Sequence, residues 1–433
     1  MQDNRTFECM TNREEETSRS VTVQSRRRKL HRVPIQLRQG KKQIYEPVVV
    51  PLGPYHHRLH PQSHLVEPLK NKLKDIVCGD FTSKSLFLCS ICARLDEIRY
   101  FYGGADGYTD GELAEMMLRD ACFLICYIER GETFNLIFQR LGVSGVLFMA
   151  RDMFMLENQI PLWLISLIHP DHNSLLCQYL SYNNFGDNRL TQLPWANGRG
   201  EEPLHLLEAL CTSLFLDETQ EYSSNLLRLV KKCNNLYTGK QGSRTNWQMM
   251  NTPFWSATDL KAKGVHFRRS SYCLTDIKFE SFAWYAELHL PFFYITYNSK
   301  VFFSNAIAFE MSPETDTNMG VTAYFNFMKI MISNAKDVKV LREKDILYSM
   351  LANDEEVVEM VKSIDTYGFA SNFFFSDVNM RIEKHCTSKA RTWMAELINT
   401  NFRSPWSVIA LAAATFLLCL TFIQTYFTIN PTN

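Results

Sequence analysis

The sequence lacks an excess of charge of either sign, because 46 Lys and Arg residues balance 46 Asp and Glu residues among its 433. Its overall charge therefore indicates neither a nucleic-acid partner nor a strongly acidic substrate. The Gly-x-Ser-x-Gly elbow, the Walker loop, Gly-x-Gly-x-x-Gly and His-Glu-x-x-His are also missing. Because no common catalytic motif is present, we predict a protein with no catalytic residues, no metal and no cofactor.

The N-terminus has no apolar run typical of a secretory signal, and the 12 cysteines have no short regular spacing. We therefore expect the cysteines to be reduced and the protein to face the cytosol. Cys89 and Cys92 form a C-x-x-C inside an apolar helical pattern, without a second C-x-x-C to complete a zinc site. We predict that both are small buried core residues.

Histidine is concentrated in one stretch, at His56, His57, His60 and His64. The first, third and fourth of these would lie on one face of a helix, as metal ligands require. Pro61 opposes a helix there, as do the preceding Gly53 and Pro54. Loop histidines that bond to the backbone are the favoured interpretation, and a metal site is the alternative.

Charged residues are absent from 406–429. At about 1.5 Å per residue this run reaches roughly 36 Å as a helix, enough to cross a hydrocarbon core of about 30 Å. Lys389, Arg391 and Arg403 precede the run and no charged residue follows it, so the positive-inside rule places the N-terminal bulk in the cytosol. We predict a juxtamembrane segment at 386–405, one transmembrane helix at 406–429 and a short tail at 430–433. The plasma membrane is the expected location, and an endomembrane is the alternative.

Small and polar residues recur at three- and four-residue spacing within the apolar run. They include Ala410, Ala414, Thr421, Gln424 and Thr428. Such a stripe allows two membrane helices to approach closely and to hydrogen bond in lipid. The alternative, which we favour, is a lone helix whose hydroxyl groups bond back to its own backbone.

The first 45 residues are basic and mostly polar, and no acidic residue lies between Ser18 and Tyr45. This composition predicts a disordered tail. A solvated tail, contact of Arg26–Lys42 with anionic lipid, and a nuclear import signal at Arg26–Lys29 are the open interpretations. Nucleic-acid binding is not expected, because aromatic residues are not interleaved with the basic ones.

Residues 46–385 show helical periodicity, interrupted at about 265–297 by short aromatic and β-branched runs. The pattern predicts a mainly α-helical α+β fold: a helical cytosolic domain with a small antiparallel β-sheet, followed by the C-terminal transmembrane helix. Val48–Val50 is short and β-prone, and Val338–Met350 has the periodicity of a helix.

Two phrases combine polar and apolar residues in an unusual way. They are Gly53, Pro54, Tyr55, His56 and His57, and then Asp152 with Leu156, Glu157, Asn158, Gln159, Ile160 and Pro161. Pro161 suits the first turn of a helix, and polar residues set among apolar neighbours should be buried and hydrogen-bonded. A structural role is the favoured interpretation. The alternative is an enzyme with a site near His56, His57 and Glu157, and a close cluster of these three residues with Asp152 would favour it.

These phrases, with Ser256–Phe267 and Asn305–Glu310 following in order, resemble the plant-specific family called domain of unknown function 247. The resemblance runs from about residue 45 to the end of the chain, with Arg58 where the family usually has Gly and Pro51 where it often has Ser. It implies a plant protein of unassigned biochemical activity. Some members are implicated in pollen–stigma self-incompatibility in grasses. We therefore expect an interaction or signalling module with protein partners, held at a lipid bilayer.

Overall fold

The computed structural model describes residues 28–58, 63–183, 193, 195, 202–214, 255–270, 273–274, 276–313, 319–367, 374–388 and 405–429. The described chain is mostly helical, with two small β-sheets. Predictions for residues 1–27, for His60, for 389–404 and for the tail at 430–433 lie outside the described residues.

The chain divides into two compact units, where the sequence suggested one domain over 46–385. The first unit is drawn from Met1–Tyr182, Leu190–Cys211 and Ala308–Asp316, and the second from Asn183–Arg189, Thr212–Ile307 and Thr317–Asn433. Three helices run across these boundaries, namely α9 (His172–Asn183), α10 (Leu206–Ser213) and α12 (Ser299–Glu310).

The first unit also contains helices that lie wholly within it. These are α1 (Ile35–Arg38), α2 (Lys42–Tyr45), α3 (Ser63–Cys78), α4 (Phe81–Cys92), α5 (Leu95–Phe101), α6 (Asp110–Glu129), α7 (Glu132–Asp152) and α8 (Trp163–Ile168). Helix α6 is central, since α3, α4, α5, α7 and α8 all pack against it. Most of its side chains are buried, from Leu113 to Ile128. At roughly 1.5–3 kcal/mol for each large apolar side chain, α6 supplies much of the stability of this unit.

Helix α6 begins at a well-defined cap. The Thr109 hydroxyl group accepts the backbone N–H of Glu112, and the Glu112 carboxylate accepts the backbone N–H of Thr109. This reciprocal pair satisfies two backbone donors that a helix start otherwise leaves unpaired. The cap therefore fixes the first residue of the central helix.

The predicted disordered tail is wrong for residues 28–45. Leu30, Val33, Leu37 and Tyr45 are all buried, and the stretch includes α1 and α2. The basic composition concealed these apolar residues, which are spaced so that each one reaches the core while the charged residues between them stay at the surface.

The second unit contains α11 (Ala257–Ala262), α13 (Gly320–Met331), α14 (Ala335–Arg342), α15 (Asp354–Ser363), α16 (Ser376–Cys386) and two sheets. The strands are β1 (Val265–Ser270), β2 (Lys278–Ser281), β3 (Ala286–Pro291), β4 (Phe293–Ile295) and β5 (Leu347–Ser349). Alternate residues of β3 are buried, which is the pattern of a central strand covered on one face.

The predicted antiparallel sheet is wrong in its pairing. In the order β1-β3-β2, strand β3 pairs antiparallel with β2 but parallel with β1. Strand β2 pairs with one edge of β3 in a hairpin. The other edge of β3 is left open, and β1 pairs with that edge in the parallel direction. A second sheet pairs β4 parallel with β5. Because β5 completes that sheet, the predicted helix Val338–Met350 is also wrong beyond Arg342.

Asp337 connects α14 to α11 within the second unit. Its Oδ1 atom accepts the backbone N–H of Thr258 at 2.8 Å and the Thr258 hydroxyl at 2.7 Å, and its Oδ2 atom accepts the N–H groups of Ser333 and Asn334. Burial raises the pKa of Asp337, but the hydrogen bonds from Thr258 and Ser333 outweigh it and lower the pKa overall. The carboxylate thus remains ionised and holds two helix starts together.

The last described helix is α17 (Pro405–Ile429). Its side chains are exposed wherever the structure describes them. Two described helical stretches are long and apolar enough to cross a membrane by length and composition, Glu132–Asp152 and Ile409–Tyr426. The helix predicted from the charge-free run is therefore present, and α7 is a second candidate that the sequence analysis did not single out.

Candidate functional site

The loop Val48–Gly53 follows α2 in the first unit, does not belong to a sheet and is buried at Val49, Val50 and Leu52. Asp152, at the end of α7, accepts the backbone N–H groups of Val48, Val49 and Val50 at 2.9, 2.7 and 2.9 Å. The β-prone Val48–Val50 therefore does not form the strand that its composition suggests. Its amides need no neighbouring strand, because one buried carboxylate satisfies them.

Asn158 extends this pairing along the segment. Its Oδ1 atom accepts the N–H of Leu52 at 2.6 Å, and its Nδ2 atom donates to the carbonyl oxygens of Val50 at 2.9 Å and Asp152 at 3.0 Å. The side-chain amide thus bonds the backbone of this loop through both its oxygen and its nitrogen. All three bonds are buried, so each polar group that loses its partner would remain without water.

Gln159 organises the loop that follows α7. Its Nε2 atom donates to the carbonyl oxygens of Met153 and Met155, each at 2.9 Å, and its Oε1 atom accepts the N–H of Leu207 at 3.0 Å. The last bond ties the loop to the start of α10. The neighbours Leu156, Ile160 and Pro161 are buried.

Lys70 and Asp120 form a fully buried ion pair. Lys70 Nζ donates to Asp120 Oδ1 at 2.7 Å and to the carbonyl oxygen of Pro51 at 2.5 Å, and Asp120 Oδ2 accepts the N–H of Gly53 at 2.7 Å. Both side chains are almost completely excluded from solvent. Each charge is therefore balanced by the other and by the backbone of the loop Val48–Gly53.

Gly53 is required by both conformation and space. Its φ of +69° lies in the left-handed region, and a Cβ atom would lie 2.7 Å from the hydroxyl oxygen of Tyr102. That hydroxyl group donates to the carbonyl oxygen of Gln159 at 2.9 Å, and Tyr55 donates to the carbonyl oxygen of Tyr102 at 2.8 Å. Burial raises the pKa of Tyr102 well above its ordinary value, so this hydroxyl group stays protonated and remains a donor.

His57 contributes to a cluster of charges around Glu67. The Glu67 carboxylate lies 3.4 Å from His57 Nε2, 3.2 Å from Lys70 Nζ and 3.2 Å from Arg119 Nη1. Burial alone would raise the pKa of Glu67. The hydrogen bond from His57 and the positive charges of Lys70 and Arg119 outweigh burial and bring that pKa to about 2.

His56 contributes to a separate group around Glu157. The Glu157 carboxylate accepts the N–H of Val33 at 2.7 Å, forms an ion pair with Arg38 and lies 3.4 Å from His56 Nε2. Burial opposes ionisation of Glu157, but His56 and Arg38 outweigh it and lower its pKa. Glu157 therefore holds the N-terminal segment in place as an ionised carboxylate.

The residues of the alternative enzyme site thus have three separate sets of contacts. His56 contacts Glu157, His57 contacts Glu67, and Asp152 contacts Val48–Val50. Burial raises the pKa of Asp152 to about 6, even though three N–H groups stabilise its charged form. Among the described residues, no three His, Cys, Asp or Glu side chains are arranged so that they could hold a metal ion.

Several residues of this network were not predicted as site residues. Lys70 and Asp120 each place a charge among apolar neighbours on a helix, a signal from which their burial could have been inferred. Arg38 carried no such signal, because it lies in a stretch that composition assigned to a disordered tail.

The prediction for Cys89 and Cys92 is wrong. Both are exposed. Only Ile91 is buried among the residues of α4, so the apolar composition of this helix does not mean that it is buried. The exposed side of α4 instead includes Phe81 and Leu86.

Comparison with known proteins identifies the family of this chain. A family model described as a plant protein of unknown function, domain of unknown function 247, matches residues 30–420. The chain belongs to this family. Two UPF0481 proteins of Arabidopsis thaliana are similar to it. One is 24% identical over 425 residues, covering 91% of this chain and 85% of the relative. The other is 22% identical over 505 residues, covering 95% and 91%. No solved structure matches.

The family match begins at residue 30, which agrees with the burial of Leu30 rather than with a boundary near residue 45. Arg58 is exposed at the surface. Its guanidinium lies over the ring of Tyr108 at 4.2 Å and 4.0 Å from Glu112. The Arg58 side chain therefore makes these contacts outside the buried segment before it.

The stripe on α17 contains hydroxyl groups that bond within their own helix. Thr421 donates to the carbonyl oxygen of Leu417 at 2.7 Å, and Thr428 donates to that of Gln424 at 2.7 Å. These bonds occupy the hydroxyl donors, so a contact between helices would depend on Ala410, Ala414 and the Gln424 amide. A role of these residues in helix association stays a prediction.

Proposed function

We propose that this member of the domain of unknown function 247 family is a single-pass plant membrane protein, anchored by α17, that acts as a non-catalytic interaction or signalling module. The observation that carries the proposal is α17 itself. It is a helix of 25 residues without Asp, Glu, Lys or Arg, and its described side chains are not covered by the rest of the chain. Such a helix is stable where hydrocarbon surrounds it.

The buried polar network supports a non-catalytic role. The side chains of three residues form hydrogen bonds with backbone amides and carbonyl groups of their own unit. These residues are Asp152, Asn158 and Gln159. A catalytic group must instead reach a proton or an electrophile of the substrate. The role of these residues in our proposal is to hold the loop Val48–Gly53, which keeps the unit rigid for recognition.

The proposal places the N-terminal bulk in the cytosol and the anchor in the plasma membrane, with an endomembrane as the alternative. Its partners are the lipid bilayer and other proteins, in recognition of the kind implicated for some members of the family in self-incompatibility. Anionic lipid contact by Arg26–Lys42 belongs to the proposal, although Arg28 contacts Glu208 and Arg38 contacts Glu157 within the chain.

Proximity labelling in plant cells tests the interaction role. A labelling enzyme is fused to the N-terminus of the full chain, and the control carries the same enzyme on residues 405–433 alone. We expect a reproducible set of proteins to be labelled more strongly by the full chain than by the control. Both fusion proteins carry the same membrane helix, so the difference reports on residues 1–404. Equal labelling by the two proteins would contradict an interaction module.

A further inference from the structure

Helix α7 carries large apolar side chains that face solvent. Phe138, Val143, Leu147 and Phe148 expose 45%, 63%, 62% and 44% of their surfaces. Water-soluble domains rarely leave several large apolar side chains exposed together, and such patches mark interaction surfaces. Val143, Leu147 and Phe148 follow Gly142 at helical spacing and share one side of that part of the helix, and Phe138 lies on the part before Gly142. We call these four residues the outer face of α7.

The other side of α7 is fixed to its own unit. Ile137, Met149 and Asp152 are buried, and the helix packs against α3 and α6. Asp152 in addition holds the amides of Val48–Val50. Helix α7 cannot separate from the unit without losing these contacts. Anything that binds the outer face must therefore bind it while α7 stays packed in this position.

The charges of α7 complement a lipid surface. No acidic residue lies between Glu132 and Asp152, whereas Arg140 is exposed and Arg151 is half-buried. In the interfacial region of a bilayer, acyl chains accept apolar side chains and lipid phosphates accept guanidinium groups. A helix that combines exposed apolar residues with basic ones and lacks acidic ones fits that environment.

The backbone of α7 fits a helix that lies in the interface better than one that crosses the bilayer. Gly142 has φ of +67° and ψ of −178°, which divides the helix into residues 132–141 and 143–152. At about 1.5 Å per residue each part is roughly 15 Å long, about half of a hydrocarbon core. The peptide groups freed at Gly142 can reach water in the interface but not in hydrocarbon.

We propose that the outer face of α7 lies in the interfacial region of the bilayer that α17 enters, so that the first unit contacts lipid directly. This inference rests on the anchor proposed above. Cover of the outer face by another protein or by a second copy of the chain is the outcome that would overturn it.

The test uses the full chain in nanodiscs of phosphatidylcholine and phosphatidylserine. An environment-sensitive fluorescent amino acid replaces Leu147, Leu418 on α17 or Glu359 on α15, one position at a time. Leu418 and Glu359 are both exposed in the structure and serve as controls for lipid and for water. Quenching is measured with spin-labelled lipid and with aqueous iodide.

We expect spin-labelled lipid to quench the probes at Leu147 and Leu418, and iodide to quench the probe at Glu359. If the Leu418 probe is quenched by lipid while the Leu147 probe is quenched by iodide, the inference fails and the anchor stands. A Leu147 probe that is shielded from both quenchers is covered by protein, which also overturns the inference. If lipid fails to quench the Leu418 probe, the proposed anchor itself is wrong and the inference falls with it.

Discussion

The Oδ2 atom of Asp152 accepts the backbone N–H of Val49 at 2.7 Å, across a separation of 103 residues in the sequence. The same carboxylate accepts the amides of Val48 and Val50, so one side chain satisfies three consecutive backbone donors. Hydrogen bonds to charged groups contribute about 1.5–3 kcal/mol each. Asp152 therefore holds the loop Val48–Gly53 within a helical unit.

Replacing Asp152 with Asn should release this segment. Asn keeps one acceptor oxygen but turns an NH₂ group toward amide donors, so at least one buried N–H loses its partner. We expect hydrogen exchange at the amides of Val48–Val50 to become roughly 10- to 100-fold faster. Asp75→Asn, at an exposed position on α3, is the control and should leave those rates unchanged. Unaltered exchange in Asp152→Asn would show that the carboxylate does not hold the segment.

Breaking the Lys70–Asp120 pair should be costly, because it leaves a buried charge without its partner. We expect Lys70→Met to lower the free energy of unfolding of the first unit by about 3–5 kcal/mol, measured by urea denaturation in detergent. Arg94→Met removes the exposed pair with Glu97, whose side chains are 44% and 49% exposed, and should cost less than about 1 kcal/mol. Equal losses for the two variants would contradict the burial of Lys70.

Glu67 should make the stability of the first unit sensitive to acid. Its pKa is about 2 in the folded chain, against an ordinary value of 4.5. A carboxyl whose pKa is depressed by folding contributes stability that is fully present above about pH 4.5 and is lost as pH falls toward 2. Because Glu67 keeps some contact with water, we expect this contribution to be about 2 kcal/mol.

The variant Glu67→Gln isolates that contribution. The difference in unfolding free energy between the natural chain and the variant should be constant from pH 5 upward and should shrink between about pH 4.5 and pH 2. Glu97→Gln, in an exposed ion pair, serves as the control with a small difference throughout. A Glu67 difference that does not change with pH would show that His57, Lys70 and Arg119 do not stabilise the ionised form.

The cysteines should differ widely in their reaction with maleimide. Cys89 and Cys92 are exposed, whereas Cys122, Cys126 and Cys211 are buried. Burial also raises the pKa of Cys126 and of Cys211, which leaves less of the reactive thiolate. We expect mass spectrometry of the native chain to find the first pair modified well before the three buried cysteines. Modification of all five at one rate would contradict the positions given to α4 and α6.

Elements set by local sequence could be predicted, and elements set by distant partners could not. The charge-free run predicted α17, because length and absence of charge are local properties. The strand expected at Val48–Val50 is absent, because Asp152 at the end of α7 accepts the hydrogen bonds of those amides. The parallel pairing of β1 with β3 likewise depends on which edge of β3 the β2 hairpin leaves open.

Composition also misled where a few apolar residues mattered more than the average. Leu30 and Val33 are buried within a basic stretch, and two partners of Glu157, the Val33 N–H and Arg38, lie in that same stretch. In the opposite direction, the apolar helix α4 leaves Cys89 and Cys92 exposed. Average hydrophobicity does not reveal which face of a helix has a neighbour.

The proposed function requires that α17 spans a membrane and that the N-terminal bulk of the chain lies in the cytosol. The most direct measurement is protease protection of the full chain, tagged at both termini, in sealed microsomes whose cytosolic face is outward. The account predicts that added protease removes the N-terminal tag without detergent and spares the C-terminal tag until detergent is added. Protection of the N-terminal tag in sealed microsomes, or loss of both tags without detergent, would contradict it.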